Sequence, residues 1–166
     1  MAERIVQWMI VNLSGNFSPA VMVFIISLLP VLELRGGIIA AYALGMELGP
    51  AFAVAFIGNI LPIPFILMFI RFILDKLRGT RLKGIVEKLE KKAMGKSGSI
   101  EKYAYWGLFA FVAIPLPGTG GWTGALIAAL LDMDAKKSFL AILLGVLAAG
   151  IIVSALSYGL LDALRG

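Results

Sequence analysis

The chain has 166 residues, 60% of them hydrophobic, and a mean hydropathy of +0.96, whereas soluble domains are usually about 45 to 50% apolar. Cysteine and histidine are absent, which excludes disulfides, thiol or imidazole catalysis and zinc sites built on those ligands. Ten of the fifteen Lys and Arg lie between Arg71 and Lys102, so the net charge of +5 indicates a cytoplasmic loop of an integral membrane protein and not a nucleic-acid interface.

The N-terminal residues 2–14 are predicted to form an amphipathic helix that lies in the membrane interface. Its apolar face would carry Ile5, Val6, Met9, Ile10 and Leu13. The next helix is expected to begin at Ser18 and Pro19, because serine suits the N-cap and proline the first helical position.

A break follows at residues 30–37, which read P-V-L-E-L-R-G-G. The apolar stretches 19–30 and 36–45 on either side are each too short to cross a bilayer, which takes about 20 residues. Two such half-spans predict a re-entrant hairpin whose tip, with Glu33 and Arg35, is buried in protein, because each charge would cost several kcal/mol in lipid. The alternative is one long tilted helix in which Glu33 and Arg35 form a structural ion pair.

Residues 51–74 are long enough to span the membrane. Inside this span, residues 58–64 read G-N-I-L-P-I-P. Asn59 and Pro62 lie three residues apart and share a face, and the prolines free backbone carbonyls that need a polar partner or a cavity. Equally, Asn59 could hydrogen-bond a neighbouring helix in a merely kinked span.

Residues 75–102 are basic and water-soluble, and they predict a cytoplasmic linker containing one amphipathic helix. The apolar side of that helix would carry Ile85, Val86, Leu89 and Ala93. Lysines in such a loop fix the topology of a membrane protein; attraction to phosphate-bearing lipid headgroups is the alternative role.

A second block repeats the first in layout. A short apolar stretch, 103–114, is followed by a break at 115–124, P-L-P-G-T-G-G-W-T-G, by a second half-span up to residue 131, and by a full span over 138–161. The last span is rich in small residues, which permit close helix contact and make a homodimer plausible. They are Gly145, Ala149, Gly150, Ser154 and Ser157.

This layout predicts a single all-α membrane domain built as an inverted repeat. Repeat 1 covers 19–74, the linker 75–102 and repeat 2 103–161, and each repeat is a re-entrant hairpin followed by a transmembrane helix. Residues 38–41, I-I-A-A, match residues 126–129, L-I-A-A. With the linker inside the cell, the two hairpins open from opposite sides, which is the architecture of alternating-access carriers.

The candidate binding site lies where the two hairpin tips and the kinked span would meet. Arg35 and the helix N-termini after each break suit an anion such as a phosphate, and a shielded Glu33 can load and unload a proton near neutral pH. Trp122 could stack on a ligand or serve only as a packing wedge. The candidate residues are Glu33, Arg35, Gly36, Gly37, Asn59, Pro62, Pro115, Pro117, Gly118, Thr119, Gly120, Trp122 and Thr123.

Three strings in the chain carry a family resemblance: L-E-L-R-G-G-I, G-N-I-L-P-I-P and A-I-P-L-P-G-T-G-G-W-T-G-A-L. Over residues 20–160 the chain resembles the prokaryotic "putative small multi-drug export protein" family, which implies a membrane carrier. It is also similar in layout to DedA-type membrane proteins, which are associated with movement of lipid-linked phosphates. In that superfamily acidic groups lie in the first hairpin and arginine in the second, whereas here Glu33 and Arg35 share the first.

The predicted function is therefore secondary transport of an anionic lipid phosphate or an amphipathic small molecule, coupled to a proton or cation. A membrane scaffold or lipid-binding protein without transport is the alternative. We expect no enzymatic activity, cofactor, metal or nucleic-acid partner, since the breaks hold no clustered carboxylates and the chain has no His or Cys. The expected location is the prokaryotic plasma membrane, with multiple passes and the basic linker in the cytoplasm.

Overall fold

A computed structural model describes residues 7–8, 10–11, 17–116 and 118–160 of the chain. Within these ranges the secondary structure is helical and contains no strand, which confirms the predicted all-α fold. The described residues form two compact units: one is Ile63–Gly145, and the other combines the residues before Ile63 with those after Gly145.

The first unit contains three short helices in succession: α1 (Pro19–Leu28), α2 (Glu33–Ala43) and α3 (Leu48–Ile60). Ser18 caps α1 as predicted, because its side chain accepts a hydrogen bond from the Val21 amide at 3.4 Å and Pro19 occupies the first turn. Each of the three helices packs against the other two.

The first break is shorter than predicted. It covers only the four residues between α1 and α2, and Gly36 and Gly37 lie inside α2. The expectation that 33–37 is non-helical was therefore wrong. Glycine fits inside a helix at a position where any side chain would collide with a neighbour. At Gly37, a Cβ would overlap the Ser27 hydroxyl of α1.

The second unit contains α4 (Ile63–Arg78), α5 (Lys83–Met94), α6 (Gly98–Ala113) and α7 (Gly121–Leu130). The predicted linker helix is confirmed as α5. α4 packs against α5 and α7, and α7 also packs against α5 and α6. Within α6, Ala104 has non-helical backbone angles, so the regular helix that enters the second break begins after it.

The second break is also shorter than predicted, since Gly121 to Gly124 belong to α7 and the break ends at Gly120. Gly124 faces α6, and a Cβ at this position would lie 2.7 Å from Val112 Cγ2. As in α2, the absent side chain lets two helices approach closely.

The last helix, α8 (Ala135–Ser154), continues as a π-helical segment over Ala155–Leu160. Two helical stretches are long and apolar enough to cross a bilayer, Leu48–Ile70 and Ala135–Gly159. Only 28% and 44% of their apolar windows are buried by the rest of the chain, whereas the core helix of a soluble protein would be mostly covered. Helical stretches of spanning length therefore occur where the two full-length spans were predicted. The first comprises α3 and the start of α4, and the second comprises α8 and most of the π-helical segment.

The small residues of the last span are used inside the chain. A Cβ at Gly145 would lie 2.8 Å from Val112 Cβ, and one at Gly150 would lie 2.7 Å from the Phe52 ring. Ala149, Ser154 and Ser157 are buried as well. These residues therefore do not provide the free face on which the expected homodimer was based, and the dimer stays a prediction without that support.

The predicted interfacial helix at 2–14 falls mostly outside the described residues. Residues 7–8 and 10–11 are helical. Ile10 packs against a buried cluster formed by Ile26, Leu32 and Ala40.

Candidate functional site

The charged pair at the first break is enclosed by the first unit. Glu33 is 6% exposed and Arg35 is half-buried, and the two charges interact electrostatically. Glu33 is the first residue of α2 and has a left-handed backbone, with φ of 53°. A carboxylate and a guanidinium are thus held together within the first unit.

Asn59 belongs to the same unit and reaches the same end of α2. α2 and α3 pack together across a four-residue connection, so they are antiparallel. Ala55 Cβ of α3 lies 3.2 Å from the position that a Cβ at Gly37 of α2 would take. Asn59 lies four residues after Ala55, and Glu33 lies four residues before Gly37. In an antiparallel pair both residues are therefore about one turn further towards the same end. Asn59 is 2% exposed, and its Oδ1 has no hydrogen-bond partner among the described residues.

The C-terminal part of α8 lies beside α2 and runs parallel to it. Leu34 Cδ2 lies 3.3 Å from the Cβ position of Gly150, and the Tyr42 and Tyr158 rings meet edge to face at 5.1 Å. Leu34 and Tyr42 are eight positions apart, and so are Gly150 and Tyr158. The two helical stretches therefore keep the same register between these two contacts.

Ser154 lies midway between these two contacts. It is buried, and its Oγ has no partner within the described part of the chain. We did not predict Ser154 as a site residue; its only sequence signal is a hydroxyl in an apolar span.

The second break is built from backbone and hydroxyl groups. Thr119 Oγ1 donates to the carbonyls of Ile114 and Leu116, both at 2.8 Å. Gly118 adopts a left-handed backbone with φ of 78°, a conformation that favours glycine. These contacts fix a tight loop directly before the first turn of α7.

A lysine from the linker joins this loop. Lys96 Nζ donates to the Gly118 carbonyl at 2.7 Å, so a cation lies at a break that has no charge of its own in sequence. We did not predict this residue, because it lies 22 positions from its partner. Only its place in a basic linker next to an apolar block could have suggested it.

The predicted site residues therefore divide between the two units. Glu33, Arg35, Gly36, Gly37, Asn59 and Pro62 lie in the first unit; Pro115, Gly118, Thr119, Gly120, Trp122 and Thr123 lie in the second, and Pro117 lies outside the described residues. Gly36 and Gly37 are helix-packing residues. Trp122 and Thr123 are half-buried in the first turn of α7, where amide N–H groups favour an anion.

Two apolar helical stretches of spanning length, and an ionisable pair of which Glu33 is buried, are typical of a helical membrane protein. A family model described as "Putative small multi-drug export protein" matches residues 33–152. The match covers well over half of the chain, which therefore belongs to this family of export proteins. Searches of curated proteins and of solved structures gave no match.

Proposed function

We propose that the protein is a secondary carrier, coupled to a proton or another cation, that moves an anionic lipid phosphate or an amphipathic small molecule by alternating access. The burial of Glu33 beside Arg35 is the observation that carries this proposal. An ionisable group inside a membrane protein is costly and usually belongs to an ion or substrate pathway. The export family to which the chain belongs supports the same class of activity.

Recurrence of one contact pattern supports the repeat on which alternating access depends. In the first unit, a serine of α1, Ser27, faces both Gly37 of α2 and Gly58 of α3. In the second unit, Val112 of α6 faces both Gly124 of α7 and Gly145 of α8. Each pattern joins three helices through two glycines that face one side chain, as expected of two related halves.

In this mechanism Glu33 is the coupling carboxylate and Arg35 binds the anionic part of the substrate. A protonated Glu33 would leave Arg35 available to an anion, and loss of the proton would restore the attraction between the two side chains. Asn59 supplies an unpartnered carbonyl oxygen nearby. The amides at the start of α7, together with Lys96, give the second break a further preference for negative charge.

The proposed orientation puts the basic linker in the cytoplasm. The first hairpin then opens outward and the second inward, in the prokaryotic plasma membrane. The parallel course of α2 and the end of α8 agrees with this scheme, since both would run towards the outside.

Proton movement in proteoliposomes tests the assignment of Glu33. The purified protein is reconstituted with a pH-sensitive dye inside, and either ethidium or a short-chain phosphatidic acid is added as substrate. We expect substrate-dependent acidification or alkalinisation with the wild type and its loss in Glu33→Gln. Glu47→Gln is the matched control, because Glu47 is an exposed carboxylate in the same unit.

Arg35→Gln separates the two substrate classes. It should reduce the proton movement driven by phosphatidic acid more than that driven by ethidium, because only phosphatidic acid needs a cationic partner. Unchanged proton movement in Glu33→Gln would contradict the coupling role. No proton movement or substrate uptake in the wild type with either probe would favour the non-transporting scaffold.

Thiol labelling tests the inverted arrangement. The chain has no native cysteine, so Val31→Cys and Leu116→Cys each give a single reactive group at an exposed position of one break, 69% and 56% exposed respectively. A membrane-impermeant reagent should reach them from opposite sides. Leu34→Cys serves as the buried control, since Leu34 is 1% exposed. Labelling of both positions from the same side would rule out inversion.

A further inference from the structure

α5 lies across the ends of two apolar helices. Arg78, the last residue of α4, donates from Nη2 to Glu90 Oε1 at 2.6 Å. Glu90 is the eighth residue of α5. If α5 folded straight back along α4, Arg78 would instead pair with a residue in the first turn of α5. Glu90 also lines one cavity together with Leu130, the last residue of α7. The middle of α5 therefore rests on the final turns of α4 and α7.

An ion pair contributes to the contact between α4 and α5. The hydrogen bond that Arg78 donates to Glu90 and the charges of Glu90 and Asp75 raise the pKa of Arg78 above its ordinary value. Asp75 accepts a further hydrogen bond from Arg78 at 3.0 Å. Glu90 is thereby turned towards the protein.

One edge of the helix, next to its buried face, is apolar and exposed. Val86 and Ala93 face the protein and are buried. Beside them runs a stripe of Leu82, Ile85 and Leu89, spaced three and four residues apart, with 45%, 65% and 42% of their surfaces exposed. An apolar stripe on a helix of a membrane protein indicates a surface that is covered by something other than water.

Lysines border this stripe on one side. Lys88 and Lys92 each follow a stripe residue by three positions, which puts them about 60° around the helix from Ile85 and Leu89. Both are exposed. Aliphatic side chains flanked by lysines match the boundary between acyl chains and negatively charged headgroups, where lysine stems lie along the apolar surface and the ammonium groups reach phosphate.

We propose that α5 is an interfacial helix that docks on an anionic lipid surface, with Leu82, Ile85 and Leu89 inserted at the headgroup boundary and Lys88 and Lys92 on lipid phosphates. The observation behind the proposal is this stripe and its lysine border, on a helix that rests on the final turns of α4 and α7. The inference does not require transport. It assigns to the basic linker a lipid contact in addition to a role in topology.

An environment-sensitive label on single cysteines tests the docking. Ile85→Cys and Glu87→Cys are each labelled with NBD in the full chain and reconstituted in phosphatidylcholine vesicles with or without phosphatidylglycerol. Glu87 is the matched control, because it is exposed, lies about 160° around the helix from Ile85, and its ion pair with Lys83 is long, at 3.8 Å. We expect a blue shift and quenching by brominated lipid at position 85 only, strengthened by phosphatidylglycerol and weakened by salt.

Removing the lysines tests the charge contribution. Each lysine near an anionic surface favours binding by roughly fivefold, so Lys88→Gln combined with Lys92→Gln should lower the ratio of docked to undocked helix by about 25-fold in phosphatidylglycerol vesicles. Both side chains are exposed, so the fold should be retained, which circular dichroism checks. A signal at position 85 equal to that at position 87, or independent of phosphatidylglycerol, would overturn the proposal. So would a shift that depends on the protein-to-lipid ratio, which would assign the stripe to a second copy of the chain.

Discussion

In each of the two units one side chain packs against two glycines of neighbouring helices, but the chemistry of that side chain differs between the units. In the first unit, the residue that packs against two glycines is Ser27, whose hydroxyl donates to the Val23 carbonyl at 2.7 Å. In the second, the corresponding residue is the aliphatic Val112. The first break carries a buried acid and a base, whereas the second is closed by hydroxyl, backbone and one lysine from the linker. The two units therefore share a glycine-mediated packing pattern and differ in the polar groups at their breaks.

The difference also shows what the glycines do in each half. They remove side chains where three helices meet, so the helices approach more closely than any larger residue permits. The breaks themselves are made by other residues, next to Pro30 in one case and between Ile114 and Gly120 in the other. The packing and the chemistry of each half can therefore be changed independently.

The largest effect is expected where the added atom meets backbone. A Cβ at Gly58 would lie 2.8 Å from the Phe24 carbonyl oxygen, and one at Gly145 would lie 3.0 Å from that of Phe109. Since a main chain cannot rotate away, Gly58→Ala and Gly145→Ala should each lower the free energy of unfolding by about 3 kcal/mol. Denaturation with SDS in mixed micelles measures this change.

The control for these two variants is Gly49→Ala, at a helical position with no neighbouring atom within 4 Å. It should raise stability by about 0.5 kcal/mol, because alanine restricts the unfolded chain. Loss of stability in only one of Gly58→Ala and Gly145→Ala would break the correspondence between the two units.

A smaller effect is expected where the added atom meets a side chain. Gly37→Ala and Gly124→Ala should each cost about 2 kcal/mol, because the new methyl group collides with Ser27 or Val112. Double-mutant cycles sharpen the comparison. Ser27→Ala should recover about 1 kcal/mol of the cost of Gly37→Ala, and Val112→Ala a similar amount for Gly124→Ala.

The same SDS denaturation assay gives the coupling energies. Strict additivity within either pair would mean that the two residues do not share a contact, contrary to the packing described. Crossed combinations, such as Gly37→Ala with Val112→Ala, serve as controls and should be additive, since each pair belongs to a separate unit.

The smallest effect concerns the lysine that distinguishes the second break. Lys96→Met removes the hydrogen bond to Gly118 and should weaken the loop by about 1 kcal/mol. The loop would then open about fivefold more often, which the hydrogen-exchange rate of the Thr119 amide reports, since that amide donates to the Leu116 carbonyl at 3.1 Å. Lys91→Met, at an exposed lysine of α5, is the control and should leave the rate unchanged.

Much of the helix order could be predicted from local sequence. Ser18 and Pro19 define the start of α1, and the run of apolar residues after Pro50 defines a long helix, because caps and hydrophobic length act within a few residues. The start of α2 also has a local signal in Glu33, since an acidic residue in the first turn is typical of a helix N-terminus.

The glycines could not be interpreted in the same way. Gly37 and Gly124 read as helix breakers, yet they are helical because Ser27 and Val112 lie against them. Those partners are ten and twelve positions away in sequence. The contact of Lys96 with Gly118 is longer still, and Ser154 gains its interest only from the helix beside it. Tertiary packing outweighs propensity at all of these positions.

The left-handed backbone of Glu33 has a thermodynamic consequence for the whole protein. A residue with a Cβ pays about 1 to 2 kcal/mol for this conformation, and glycine would adopt it without strain. The chain thus carries this conformational cost at the position of the first break that holds a carboxylate. Evolution towards greater heat resistance would have an easy route through this residue, and that route would remove the carboxylate.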